Sequence, residues 1–181
     1  MPSNSWFESS FNQFISLTLA FATLYAINNA ATPFLHLVPG AHLVHIPSGI
    51  KFLMVLIFSF MGALSIATVS LLAGLFFYFP NNYAVSLELA LVNALSPLLA
   101  LKLVMGTFKI GGFLEHLDLN RLIKMGLAFS LANSALNQLV IYWNGLTTDF
   151  LSGLEVMFIG DITGFGIALM LLKISARFVK P

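Results

Sequence analysis

Cysteine is absent from this 181-residue chain, and charge is scarce. Without cysteine there are no disulfides, no thiolate metal sites and no cysteine nucleophile, and the redox compartment stays open. Charged residues make up 8% of the chain, against about a quarter in soluble domains. Eight Lys and Arg against seven Asp and Glu leave a net charge of +1, which offers no basic footprint for nucleic acid. Also missing are a nucleophile beside a plausible base, a glycine-rich phosphate loop after a strand, and paired catalytic carboxylates. Glu155 and Asp161 share one predicted helix but turn to different sides of it. We therefore expect a non-enzymatic protein with no catalytic residue, and the pattern names no cofactor.

What is present is apolar. Hydrophobic residues make up 59% of the chain, with 18 Phe and 7 Met, and the mean hydropathy is +0.94. Such a chain belongs in a lipid bilayer. The predicted fold is all-α: one polytopic membrane bundle over residues 1–181, with about six transmembrane segments. Met1 to Ser10 hold Glu8 and no Lys or Arg. A cleaved secretory leader, which needs a basic start, is not expected.

The segments are read as Phe11–Ala31, Ser48–Met61, Gly62–Phe79, Ala84–Leu103, Leu122–Trp143 and Phe150–Leu172. The second and third come from one apolar run starting at Ile46. As a single helix that run would measure about 48 Å, against a hydrocarbon core of about 30 Å, so a break near Gly62 is the simpler reading. If the run is instead one tilted helix, there are five segments. Pro97 is expected to kink the fourth. Thr107 to Arg121, with Lys109, Glu115, His116 and Asp118 among leucines, reads as a stretch lying on the membrane surface. Lys102, Lys109, Arg121 and Lys124 flank one connection, and Lys173, Arg177 and Lys180 follow the last segment. The positive-inside rule makes both regions, and hence the C-terminus, cytoplasmic.

Three polar residues fall near the middle of their segments: Asn93, Asn133 and Asp161. A carboxylate at that depth costs roughly 2.5–3.5 kcal/mol on insertion scales, so it faces a partner or a cavity. Two readings stay open, a polar cluster that binds helices together and a site for a ligand, ion or proton. Gly160 and Gly164 flank Asp161 at the small-xxx-small spacing that lets helices approach closely. Lys51 and Glu88 form a second candidate, with three readings open: they pair in the six-segment reading, Lys51 binds an anion, or it snorkels to an interface. Three of the four histidines, His36, His42 and His45, share one connection. No carboxylate accompanies them, so they read as interfacial loop residues and no metal site is assigned.

Pro47-Ser48-Gly49-Ile50 opening an apolar pair, Asn93 in a following helix and Gly160-Asp161-Ile162-Thr163-Gly164 in the last one resemble the bacterial membrane-associated sensor modules of the MASE type. That resemblance covers segments 2 to 6. It implies a sensor in the bacterial inner membrane, with Pro47, Gly49, Asn93, Gly160, Asp161 and Gly164 facing a ligand. Members of that family are usually fused to a histidine kinase or cyclic-dinucleotide output domain, and neither is expected within these 181 residues. Size and the six-helix plan are also similar to the substrate-binding subunits of energy-coupling vitamin transporters. The expected partners are the bilayer itself and either other membrane subunits or a second copy of the chain. A structural subunit of a larger membrane complex is the alternative role.

Overall fold

A computed structural model describes residues 4–32, 36–38, 41–108 and 119–178. Among the described residues five helices make the bundle: α1 (Asn4–Ala31), α2 (Ile46–Ala73, continued by a π-helical turn Gly74–Tyr78), α3 (Tyr83–Phe108), α4 (Leu119–Trp143) and α5 (Phe150–Phe178). A short antiparallel ribbon, β1 (His36–Val38) with β2 (Ala41–His42), pairs His36 with His42 between α1 and α2. Four helical stretches among the described residues are long and apolar enough to cross a membrane: Glu8–Ala31, Ile46–Tyr78, Tyr83–Leu103 and Phe150–Ile174. Helix α4 is as long but more polar, and the reason is local. Ser130, Asn133, Ser134, Asn137 and Gln138 recur along its buried face, while Ile123, Leu127, Leu131 and Leu139 point outward. The surface-lying stretch expected around Lys109, Glu115, His116 and Asp118 lies outside the described residues.

The 33 residues from Ile46 to Tyr78 would extend about 50 Å as one straight helix. They do not run straight. The rings of His45 and Tyr78 both lie within 6.4 Å of the Tyr25 ring, so the two cannot be more than twice that apart. The chain reverses at Ser59, whose backbone leaves the helical region (φ 47, ψ −118). Just past the turn, Gly62 is packed so closely on the Met54 carbonyl that a Cβ would not fit. Helix α2 is thus a hairpin of a short arm, 46–58, and a long arm, 60–78. The break expected at Gly62 falls three residues earlier, and Gly62 instead permits the arms to touch.

The short arm measures about 20 Å and cannot cross a core of about 30 Å alone. This is why there are five helices and not six. The short arm runs parallel to α5: Ser48 meets Asp161, Gly49 meets Gly164, and Phe52 meets Phe165. Its start is bonded to Gly160, about 15 Å in from the beginning of α5. The second passage through the bundle is therefore divided, and the short arm forms only its inner part. The long arm, α3, α4 and α5 then alternate in direction, so the start of α1 and the end of α5 lie at the same end of the bundle.

Packing is inverted relative to a water-soluble protein. Ser48, Ser65, Ser86, Ser96, Ser130 and Ser134 are fully buried, while Phe76, Phe77, Leu103 and Met170 are exposed. Small buried residues allow close helix approach where lipid is already as apolar as leucine. An aromatic and aliphatic cluster around Phe52, Met125, Phe129 and Phe165 fills the end of the bundle below the short arm's first turn.

Candidate functional site

The site begins with the way the short arm is held at its start. Pro47 occupies the first turn, where a missing N–H costs nothing. The Ile46 N–H donates to Asn28 Oδ1 of α1 at 3.1 Å, and the His45 N–H donates to the Gly160 carbonyl at 3.2 Å. Thr163 Oγ1 donates to the Leu43 carbonyl at 3.0 Å. Gly49 and Gly164 make this docking possible, since a Cβ on Gly49 would meet the Gly164 carbonyl of α5 and one on Gly164 would meet the His45 carbonyl.

Asp161 lies opposite that start and is 4% exposed. Ser48 Oγ donates to its Oδ1. Asn133 Nδ2 donates to Oδ2 at 2.6 Å, and Ser134 Oγ lies 3.1 Å from the same oxygen. Ser134 also approaches the Ser130 carbonyl at 2.6 Å, so its single proton serves two acceptors. The helix N-terminus of the short arm adds a favourable field for a carboxylate. Asp161 is well supplied with donors without help from any ligand.

Lys51 is also 4% exposed, one turn into the short arm. Its Nζ donates to Asn93 Oδ1 at 2.8 Å and to Asn133 Oδ1 at 3.4 Å. Ser96 Oγ donates to the same Asn133 oxygen at 2.7 Å. Asn133 therefore bridges the two charged residues, oxygen toward Lys51 and nitrogen toward Asp161. Asn137 Nδ2 donates to the Asn133 carbonyl at 2.8 Å and reaches Asn93 Oδ1 at 3.4 Å. Four elements, both arms of α2 not counted separately, contribute to one polar centre.

A cavity of about 90 Å³ opens beside this centre. A single water needs roughly 10–15 Å³ by such a measure, so there is room for several waters or a small solute. Lys51, Asn93, Asn133, Asn137 and Asp161 form its polar floor. Tyr25, Tyr78, Phe79, Leu89, Ile141 and Met157 form walls that rise toward the 79–82 turn.

The structure brings together Asp161, Asn133, Asn93 and Lys51, and places Gly160 and Gly164 against the short arm's start. Lys51 does not snorkel and does not pair with Glu88, because the reversal at Ser59 turns its side chain inward. Glu88 instead sits exposed near the other end of α3 and accepts from Asn144 Nδ2 at 2.7 Å. It plays no part in the cavity. His45 stands at the cavity edge, ring edge-on to Tyr25. Ser96, Ser134, Tyr25 and Tyr78 escape a reading of the sequence, since lone serines and interfacial tyrosines are common in membrane helices. The spacing Ser130, Asn133, Ser134, Asn137 was the available signal, a polar stripe on one helix face. No protein-family model, curated protein or solved structure matches this chain, so its fold and its site rest on its own residues.

Proposed function

We propose that this chain is a membrane-embedded, non-enzymatic binding module for a small polar solute, acting as a sensor or as a substrate-binding unit. The observation that carries the proposal is the cavity floored by Lys51, Asn93, Asn133 and Asn137 beside Asp161. A buried cation and a buried carboxylate are expensive in a bilayer, and intramembrane ionisable groups by default mark ligand or ion pathways. A helix that starts inside the bundle and points its N-terminus at a polar centre is also the device by which transport folds hold solutes at mid-depth.

Helix α4 packs between α3 and α5 along its length and crosses the membrane with them, its polar face turned inward. Exposed Lys102, Lys124 and Lys173 lie at the end shared by the start of α1 and the end of α5. The positive-inside rule makes that end cytoplasmic and opens the cavity toward the opposite face. Two of the MASE-like pieces, Pro47-Ser48-Gly49 and the Gly160–Gly164 stretch, meet at this site, which supports a sensor in a bacterial inner membrane.

Because the chain has no cysteine, Ser70→Cys on the cavity wall supplies a single reporter thiol. In sealed vesicles, small water-soluble methanethiosulfonates should modify it from one face only. A thiol that no such reagent reaches from either face refutes the binding module. A second reading, a structural subunit of a larger membrane complex, is favoured by the donors that already satisfy Asp161. Stoichiometric co-purification of another membrane protein in mild detergent would support it.

A further inference from the structure

We infer that the solute is a small organic anion, whose carboxylate is taken by the Lys51 ammonium and the Asn93 carboxamide N–H. This deepens the binding-module reading and rests on it. The inference starts from what each polar atom has left to offer. A lysine ammonium has three donors and no acceptor. Two of the three are spent on Asn93 Oδ1 and Asn133 Oδ1. Because lysine only donates, both amides must present their oxygens to it, which fixes their orientation without observing a hydrogen. The Asn133 nitrogen then faces Asp161, where it is used. The Asn93 nitrogen has no hydrogen-bond partner among the described residues.

Two donors therefore remain at the floor of the cavity, the third Lys51 proton and the Asn93 amide. They belong to neighbouring groups that already share an oxygen, the spacing at which two donors converge on one carboxylate. Asp161, the only carboxylate lining the cavity among the described residues, has its own donors in Ser48, Asn133 and Ser134, and the start of the short arm faces it. These donors stabilise its charge without a solute, and Lys51, with one donor unspent, is the cationic group left to meet one. Asn137 is fixed in the same way, its nitrogen on the Asn133 carbonyl, which leaves its Oδ1 as an acceptor. A hydroxyl next to the carboxylate of the solute would use it. Leu89, Ile141 and Met157 can take only a small apolar remainder. The chemistry is that of a short hydroxy acid.

The test uses the full chain in lipid nanodiscs, with lactate and lactamide as probes. These share shape and hydroxyl and differ in charge. Lactate should raise the melting temperature saturably, and lactamide should need about ten-fold more or fail, because hydrogen bonds to a charged group are the stronger kind. Lys51→Met should lose the lactate response. If that variant does not fold, Asn93→Asp serves instead. It keeps an oxygen on Lys51 and replaces the free donor with a negatively charged acceptor, so it should fold and weaken lactate about ten-fold or more. Equal responses to lactate and lactamide, no response to lactate, or an Asn93→Asp variant that binds lactate unchanged would each overturn the anion assignment. The Ser70→Cys reporter separates the two levels. If it is modified by both anionic and cationic reagents while lactate fails, the cavity stands and the anion does not; if neither reagent reaches it, the binding module itself falls.

Discussion

The two arms of α2 are built from the same kinds of residue and end in different surroundings. On the short arm, positions 47–49 and 51–56 are buried on every side by α3, α4, α5 and the long arm. The long arm buries Ala63, Ile66, Val69 and Ala73 on one face and offers Phe60, Leu64, Leu72, Phe76 and Phe77 outward, Phe77 at 80% exposure. Hydropathy cannot tell these cases apart, since lipid and protein interior are equally apolar to it. What separates them is the polar minority. The short arm opens with Pro47-Ser48-Gly49 and carries Lys51, residues that make sense only against other protein atoms. Before Tyr78 the long arm has only two serines and a threonine, of which Ser65 and Thr68 bond their own helix at Met61 and Leu64.

The comparison breaks most severely at the glycine contact. Gly164→Leu should cost more than about 3 kcal/mol, because a Cβ there would enter the His45 carbonyl and the backbone cannot yield cheaply. Gly166→Leu, on the lipid side of the same helix with open space around it, should be neutral or slightly stabilising. Unfolding of both variants in detergent checks the pair, and equal behaviour would deny the docking.

Next is Asp161→Ala, which strands the Asn133 amide and removes the counter-charge of Lys51. A loss of about 2–4 kcal/mol is expected, against no resolvable change for exposed Glu155→Ala. Asp161→Asn should cost less, because the Ser48 hydroxyl can accept as well as donate. On the long arm, Ser65→Ala loses a bond to its own helix and one of 3.3 Å to the Phe14 carbonyl. The expected cost is about 1 kcal/mol or below.

A smaller effect should come from the turn between the arms. Ser59 holds a positive φ that glycine adopts freely, so Ser59→Gly should stabilise by up to about 1 kcal/mol, read in the same unfolding assay. The smallest effect lies outside the bundle. Hydrogen bonds from Ser152 hold the Asp149 carboxyl below its usual range at the start of α5. A group depressed in the folded state contributes above its unfolded pKa of about 3.9, and that contribution is lost as pH falls through the folded value. Protection of the first-turn amides of α5, relative to the intrinsic exchange rate at each pH, should therefore fall below about pH 4, and in Asp149→Ala it should be low at every pH.

Much of this architecture is legible in the residues. The apolar runs give the helices, and the depth of Asn133 and Asp161 along their segments places them together. The limits are equally physical. A reversal such as that at Ser59 has no glycine or proline to announce it, so the sequence points to Gly62, the residue that packs instead of the one that turns. Lys51 was read from its position near a helix end, which suggested an interface. Only the hairpin shows that this end lies inside the bundle. Glu88 was grouped with it on depth alone, and depth does not say which way a side chain points. The lysine's amide partners are a three-dimensional fact, since Asn93 and Asn133 lie on different helices.

The central claim is that the chain folds back at Ser59, so that α2 is a hairpin whose short arm starts inside the bundle. The most direct measurement is the distance between spin labels on Val44→Cys and Phe77→Cys in the otherwise cysteine-free chain. A hairpin predicts a separation well under half the length of a continuous helix. A distance near the roughly 50 Å of an unbroken helix would contradict the fold, and with it the cavity that depends on it.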